Sequence, residues 1–141
     1  MRYENAIVIA APASLVWDLT ADVSRRPEFT PTTRRVEPLD PLPLQVGGRA
    51  RVKQPMLPEA VWTVAELEPG RRFVWRTERG GLAMTGAHLV EAIDGTSCRN
   101  TLSIDVTGKR ASGFAFLFGA AVRRSITREN GGFRREAERR A

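Results

Sequence analysis

Between Thr33 and Val106 hydrophobic and polar residues trade places with a period of two, and from Ser112 to about Arg140 the period lengthens to between three and four. Alternation puts successive side chains on opposite faces of a strand, whereas the longer period gathers them on one side of a helix. Residues 48–54 set Ala50, Val52 and Gln54 against Arg49, Arg51 and Lys53, as a sheet with one wet face requires. Strands at 61–67, 72–79 and 82–92 follow, separated by Pro55 and Pro58, by Pro69-Gly70 and by Gly80-Gly81. Asp94-Gly95 then signals a hairpin into a last strand, where Leu102, Ile104 and Val106 alternate with Thr101, Ser103 and Asp105. Ahead of this meander, residues 3–10 read as a first strand. Pro12 can open a short helix carrying Leu15, Val16 and Leu19 and ending near Asp22, and Ser24 can cap a further turn to Phe29. A strand around 34–38 and a proline-rich connection at 39–44 complete the series.

In the final helix Phe114, Leu117, Phe118, Ala121, Val122, Ser125 and Ile126 form an apolar stripe that Phe133 and Ala137 continue. Gly119, Ala120 and Ala121 would let this helix approach the strands closely, and Gly131-Gly132, at about 1 kcal/mol per glycine relative to alanine, predicts a bend or local loosening. Neighbouring strands lie about 4.8 Å apart while a helix with its side chains is about 10–12 Å thick, so one helix leaves part of a sheet of six to seven strands uncovered. Strand parity places Ala50, Val52, Phe73, Trp75, Leu102 and Ile104 on the covered face, against Phe114, Phe118 and Val122. The uncovered part predicts an apolar pocket of several hundred Å³, bordered by Trp62, Trp75, Met84 and His88, of the kind that takes a small molecule.

With 141 residues, 42% hydrophobic and 27% charged, the chain reads as a single domain spanning residues 1–141. No apolar run approaches the roughly 20 residues of a membrane span. The start Met1-Arg2-Tyr3-Glu4-Asn5 lacks the basic and apolar regions of a signal peptide, so a cytoplasmic location is expected. Cys98 is the single cysteine and can form no internal disulfide. The net charge of +6 invites a nucleic-acid reading, but the arginines are scattered over nearly every element and no base-stacking aromatics are interleaved with them. Nucleic acid is therefore not the expected partner, although a protein or RNA interaction module using the basic surface remains a third functional class.

His88 is the only histidine, and strand alternation puts it on the cavity side with Met84 and Val90. There it can act as a general acid or base or hydrogen-bond a ligand carbonyl; the alternative is a histidine satisfied within the sheet. Trp62, Phe73, Trp75, Met84, Leu102, Ile104, Phe118 and Val122 are the other candidate ligand contacts, each also explicable as plain core. Gln54, Thr77 and Asn100 are possible polar anchors, and Phe29 with the 39–44 connection can form a rim or lid. Trp17 is assigned to packing and Cys98 to structure. One histidine and one cysteine without ligand spacing imply no metal.

The order Ile9-Ala10-Ala11-Pro12, Val16-Trp17, Asp22, Pro27-Glu28-Phe29, then Trp62-x-Val64, Glu68-Pro69-Gly70-Arg71-Arg72-Phe73-x-Trp75, His88-x-Val90-Glu91, Gly95-Thr96 and Gly132-Phe133 before Ala137-Glu138 resembles the START-related superfamily, which includes polyketide cyclase/dehydrases, lipid-transfer domains and plant pollen allergens. The resemblance runs over essentially the whole chain. It implies an α+β helix-grip fold, in which a curved antiparallel sheet wraps around the long C-terminal helix, with two short helices after the first strand. It further implies a hydrophobic ligand such as a lipid, quinone or polyketide-like aromatic; the residues themselves call for no cofactor and leave monomer and homodimer both open. A carrier, or a cyclase/dehydrase-type enzyme using His88 as acid or base, are the two readings that follow.

Overall fold

Turn chemistry sets the path of the chain through the computed structural model, which describes residues 1–55 and 57–141. The strands are β1 (Arg2–Ile9), β2 (Arg35–Pro38), β3 (Arg49–Lys53), β4 (Ala60–Glu68), β5 (Arg72–Arg79), β6 (Leu82–Asp94) and β7 (Ser97–Thr107). The helices are α1 (Ala13–Ala21), a 3₁₀ turn (Val23–Glu28) and α2 (Ala111–Arg140). Gly80 and Gly81, at φ 58° and 83°, reverse the chain between β5 and β6 in a conformation that two successive residues with a Cβ would resist. All seven strands form one antiparallel sheet in the order β1-β7-β6-β5-β4-β3-β2. Register irregularities at Val64/Glu66 and Ala92/Asp94 are bulges of the kind that bend and twist a sheet.

The predicted face is the covered one: Ala50, Val52, Phe73, Trp75 and Leu102 are buried and Ile104 is half-buried. What covers it differs from the expectation. Phe73 and Trp75 pack with Val23, Leu44, Val52, Trp62 and Val64, and no residue of α2 belongs to that cluster. The reason is topological. β1 and β2 sit at opposite edges of the sheet, so the intervening α1 and 3₁₀ turn must cross its concave side, and they cover strands that α2 alone would have left bare. Leu102 instead meets Val16, Leu19, Phe133 and Ala137 in a second cluster. Phe114 and Ile126 join Tyr3 and Val106 in a third, with Phe118 and Val122 partly buried beside them.

One expectation about α2 requires correction. Leu117 is 70% exposed and Phe116 89% exposed, so the buried stripe is narrower than predicted and runs through Phe114, Ile126, Phe133 and Ala137. The helix runs without a break through Gly131-Gly132 over all 30 residues. Gly132 is there for close approach: a Cβ on it would lie 2.5 Å from the Phe29 carbonyl oxygen and 3.2 Å from Thr30. Asn130, two residues before that contact, fixes α2 on the sheet. Its Nδ2 donates to Asn5 Oδ1 at 2.8 Å and to the Asn100 carbonyl at 3.1 Å, while its Oδ1 accepts from Asn100 Nδ2 at 2.9 Å.

Candidate functional site

The expected single pocket is divided in two. Between α2 and the sheet lies an open apolar groove of about 220 Å³, walled by Trp62, Met84 and Ile104 on the strands and by Phe114, Phe118, Val122 and Ile126 on α2. Deeper in, a chamber of about 30 Å³ is bordered by Trp75, His88, Leu102, Arg26, Gln54 and Glu129. Trp62, Gln54, Ile104, Ile126 and Glu129 border both spaces, which adjoin along these side chains. Of the predicted residues, Met84, Phe118 and Val122 face the groove, Trp75, His88 and Leu102 face the chamber, and Trp62 and Ile104 face both. Phe73 borders neither space and packs edge-on against Trp75 at 5.2 Å.

The chamber's polar groups are unusual. Arg26, only 2% exposed, enters the core from the 3₁₀ turn. Its guanidinium carbon lies 4.8 Å from the Trp75 ring centroid, 5.6 Å from Phe73 and 6.0 Å from Phe133. One terminal nitrogen donates to the Thr20 carbonyl at 3.1 Å, and Nε has no hydrogen-bond partner among the described residues. Cation–ring attraction contributes about 0.5–2 kcal/mol per contact, whereas a buried ion costs several kcal/mol, so no single ring offsets the burial of this charge. His88, on β6, sits between Phe73 and Phe133 with ring centroids 6.0 Å and 5.7 Å away. Its Nδ1 also has no partner among the described residues.

The three ionisable groups bias one another. Burial, and then the positive charge of Arg26, hold the His88 imidazole well below its usual range, so it is neutral at physiological pH. Burial raises the Glu129 carboxyl above the ordinary carboxylate range, with Arg26 opposing the shift. Burial likewise lowers Arg26, with Glu129 opposing.

Arg26 and Glu129 are absent from the sequence-based candidates, although both left a trace. A 3₁₀ helix repeats every three residues, so Arg26 must share the buried side of Val23. Glu129 falls three residues after Ile126 and four before Phe133, on the buried stripe of α2. Other candidates resolve as structure. Thr77 donates to the Val61 carbonyl at 2.8 Å, and Asn100 belongs to the Asn130 network. Phe29 packs on Phe133 at 5.2 Å, and Leu44, at one end of the 39–44 connection, is buried. Cys98 is buried, and that burial pushes its thiol up, away from nucleophilic use. Trp17 packs against two of the core clusters.

A family model described as polyketide cyclase/dehydrase and lipid transport matches residues 1–138. The chain belongs to that family. A candidate polyketide cyclase of Streptomyces halstedii is 37% identical over 76 residues, and the matched region spans 54% of this chain and 59% of that relative. The fold is shared with an aromatase/cyclase from Streptomyces sp. R1128, at a TM-score of 0.82 and 24% identity over 99% of this chain and 94% of the other. It is shared too with a START superfamily protein from Mycobacterium smegmatis, at 0.77 and 11% identity over 99% of both. These likenesses establish the helix-grip architecture of this polyketide cyclase/dehydrase and lipid transport family member. Among its described residues no helix is long and apolar enough to cross a membrane.

Proposed function

We propose that the protein binds a small, largely apolar molecule, of lipid, quinone or polyketide-like aromatic character, in the groove between α2 and the sheet. The observation that carries this reading is the groove itself: about 220 Å³ of apolar space that opens beside a buried chamber whose Arg26 and His88 each keep a nitrogen without a partner among the described residues. An apolar body with one polar end suits this pairing. Family membership supports the reading. The interaction-module alternative called for a filled interior and arginines gathered on one face. The groove is open, and many arginines pair locally with acids, as in Arg25–Glu28, Arg49–Asp40 and Arg72–Glu66.

Titration with an apolar fluorophore should shift the emission of Trp62, which lines both spaces, and lipids or flat aromatics should displace the probe. A protein that takes up no apolar probe at any accessible concentration would overturn the binding reading.

A second reading, turnover of the cyclase or dehydrase type, is favoured by Glu129. A carboxyl raised toward neutrality is better poised as a general acid, and it faces both spaces. The depressed basicity of His88 makes that residue a weak base and suits it to hydrogen bonding. With one identified ligand, His88→Gln separates the two readings. Catalysis through His88 predicts a loss of about 100-fold or more in turnover at nearly constant affinity. Binding alone predicts an affinity loss of about 1 kcal/mol, the net worth of one neutral hydrogen bond.

A further inference from the structure

The polar end of the ligand has a counterpart whose chemistry is specific. Arg26 carries a permanent charge into the core, yet among the described residues it joins no ion pair and its Nε–H has no acceptor. A neutral carbonyl or hydroxyl would satisfy the free N–H and leave the charge uncompensated. A carboxylate does both, because its two oxygens match the planar fork of the guanidinium. The chamber beside Arg26, about 30 Å³, has room for a polar group of only a few atoms, so the apolar remainder of the molecule must lie past Trp62 in the groove.

We propose that Arg26 is the specificity-determining residue of the site and that the ligand is an apolar monocarboxylate, its carboxylate held by Arg26 in the chamber and its tail in the groove; this rests on the binding reading above. His88 is suited to the same end of the ligand, since a neutral imidazole accepts or donates a hydrogen bond without adding charge. Glu129, which borders both spaces, is the internal competitor for Arg26. Its removal should therefore help a carboxylate and not a neutral molecule.

Decanoate and decan-1-ol share a tail and differ in the charge of the head, so titrating both at pH 8 by tryptophan emission isolates the contribution of Arg26. Decanoate should bind the unaltered protein at least tenfold more tightly. Arg26→Met should abolish that preference while keeping affinity for decan-1-ol, and Glu129→Gln should tighten decanoate several-fold without changing decan-1-ol. If Arg26→Met does not fold, the head-group preference of the unaltered protein and its increase in Glu129→Gln decide the matter. Equal binding of the two compounds, or a preference that survives Arg26→Met, overturns the inference and leaves the binding reading standing. Failure of both compounds to bind a protein that still takes up the apolar fluorophore also overturns the inference, whereas failure of the fluorophore as well overturns the binding reading itself.

Discussion

At the scale of single residues, His88 converts burial into pH sensitivity. Its folded-state affinity for a proton is well below that of the unfolded chain, because the core and Arg26 both disfavour the imidazolium. The unfolded state therefore binds more protons once the pH falls below the ordinary histidine value of about 6.5, and folding loses about 1.4 kcal/mol per pH unit until the folded group also titrates. Stability from this residue is complete above that value and declines on acidification. Denaturant unfolding of the unaltered protein and of His88→Gln, followed from pH 7.5 to pH 5, should show a steeper loss in the former. Parallel curves would mean that the ring is more solvated than its position indicates. Glu129 acts in the opposite sense, since a raised carboxyl is relieved by acid. The difference between the two proteins, rather than either curve alone, reports the histidine.

At the scale of elements, two adjacent glycines of α2 have opposite roles although the helix treats their backbones alike. A methyl group on Gly131 would meet only Arg135 Nη1 at 3.5 Å, an ordinary contact, so Gly131→Ala should stabilise the protein by about 0.5–1 kcal/mol through helix propensity. A methyl on Gly132 would press on the backbone of Phe29 and Thr30, and Gly132→Ala should cost about 1–3 kcal/mol net as α2 is pushed from the 3₁₀ turn. Urea midpoints of the two variants measure the contrast, and equal shifts would place the Phe29–Thr30 backbone farther from the helix than it stands here. The contact matters for the site because Phe133, next in the chain, completes the ring cage around Arg26 and His88.

At the scale of the whole molecule, the groove is a gap in an otherwise shared core, so occupying it should be felt globally. A ligand that binds only the folded state at a free concentration of 100 times its Kd adds about 2.7 kcal/mol to stability. Differential scanning fluorimetry with the best-binding probe should therefore raise Tm in a concentration-dependent way. Ala121 lies on the groove wall and is itself exposed, so Ala121→Trp can fill the space without disturbing buried packing. That variant should keep the ligand-free Tm and lose both probe binding and the ligand-induced rise. A full rise in Ala121→Trp would place the ligand elsewhere.

The sequence by itself determined what local periodicity and turn chemistry can encode. Alternation with period two set the parity of Phe73, Trp75, Leu102 and Val106, and the paired glycines at 80 and 81 and the Asp94-Gly95 step set where strands reverse. The tertiary structure decided what lies across from each face, because partners far apart in sequence leave no periodic trace. Leu117 is a stripe residue by spacing and a surface residue in the fold, since α2 offers the sheet only the narrow face that Asn130 and Gly132 allow. Arg26 reads as one charge among many along the chain. Only the crossing of α1 and the 3₁₀ turn over the concave sheet carries it into the core, among Phe73, Trp75 and Phe133. The same crossing covers part of the face that one helix would have left open, which is why a single large pocket was expected and a groove with an adjoining polar chamber is found.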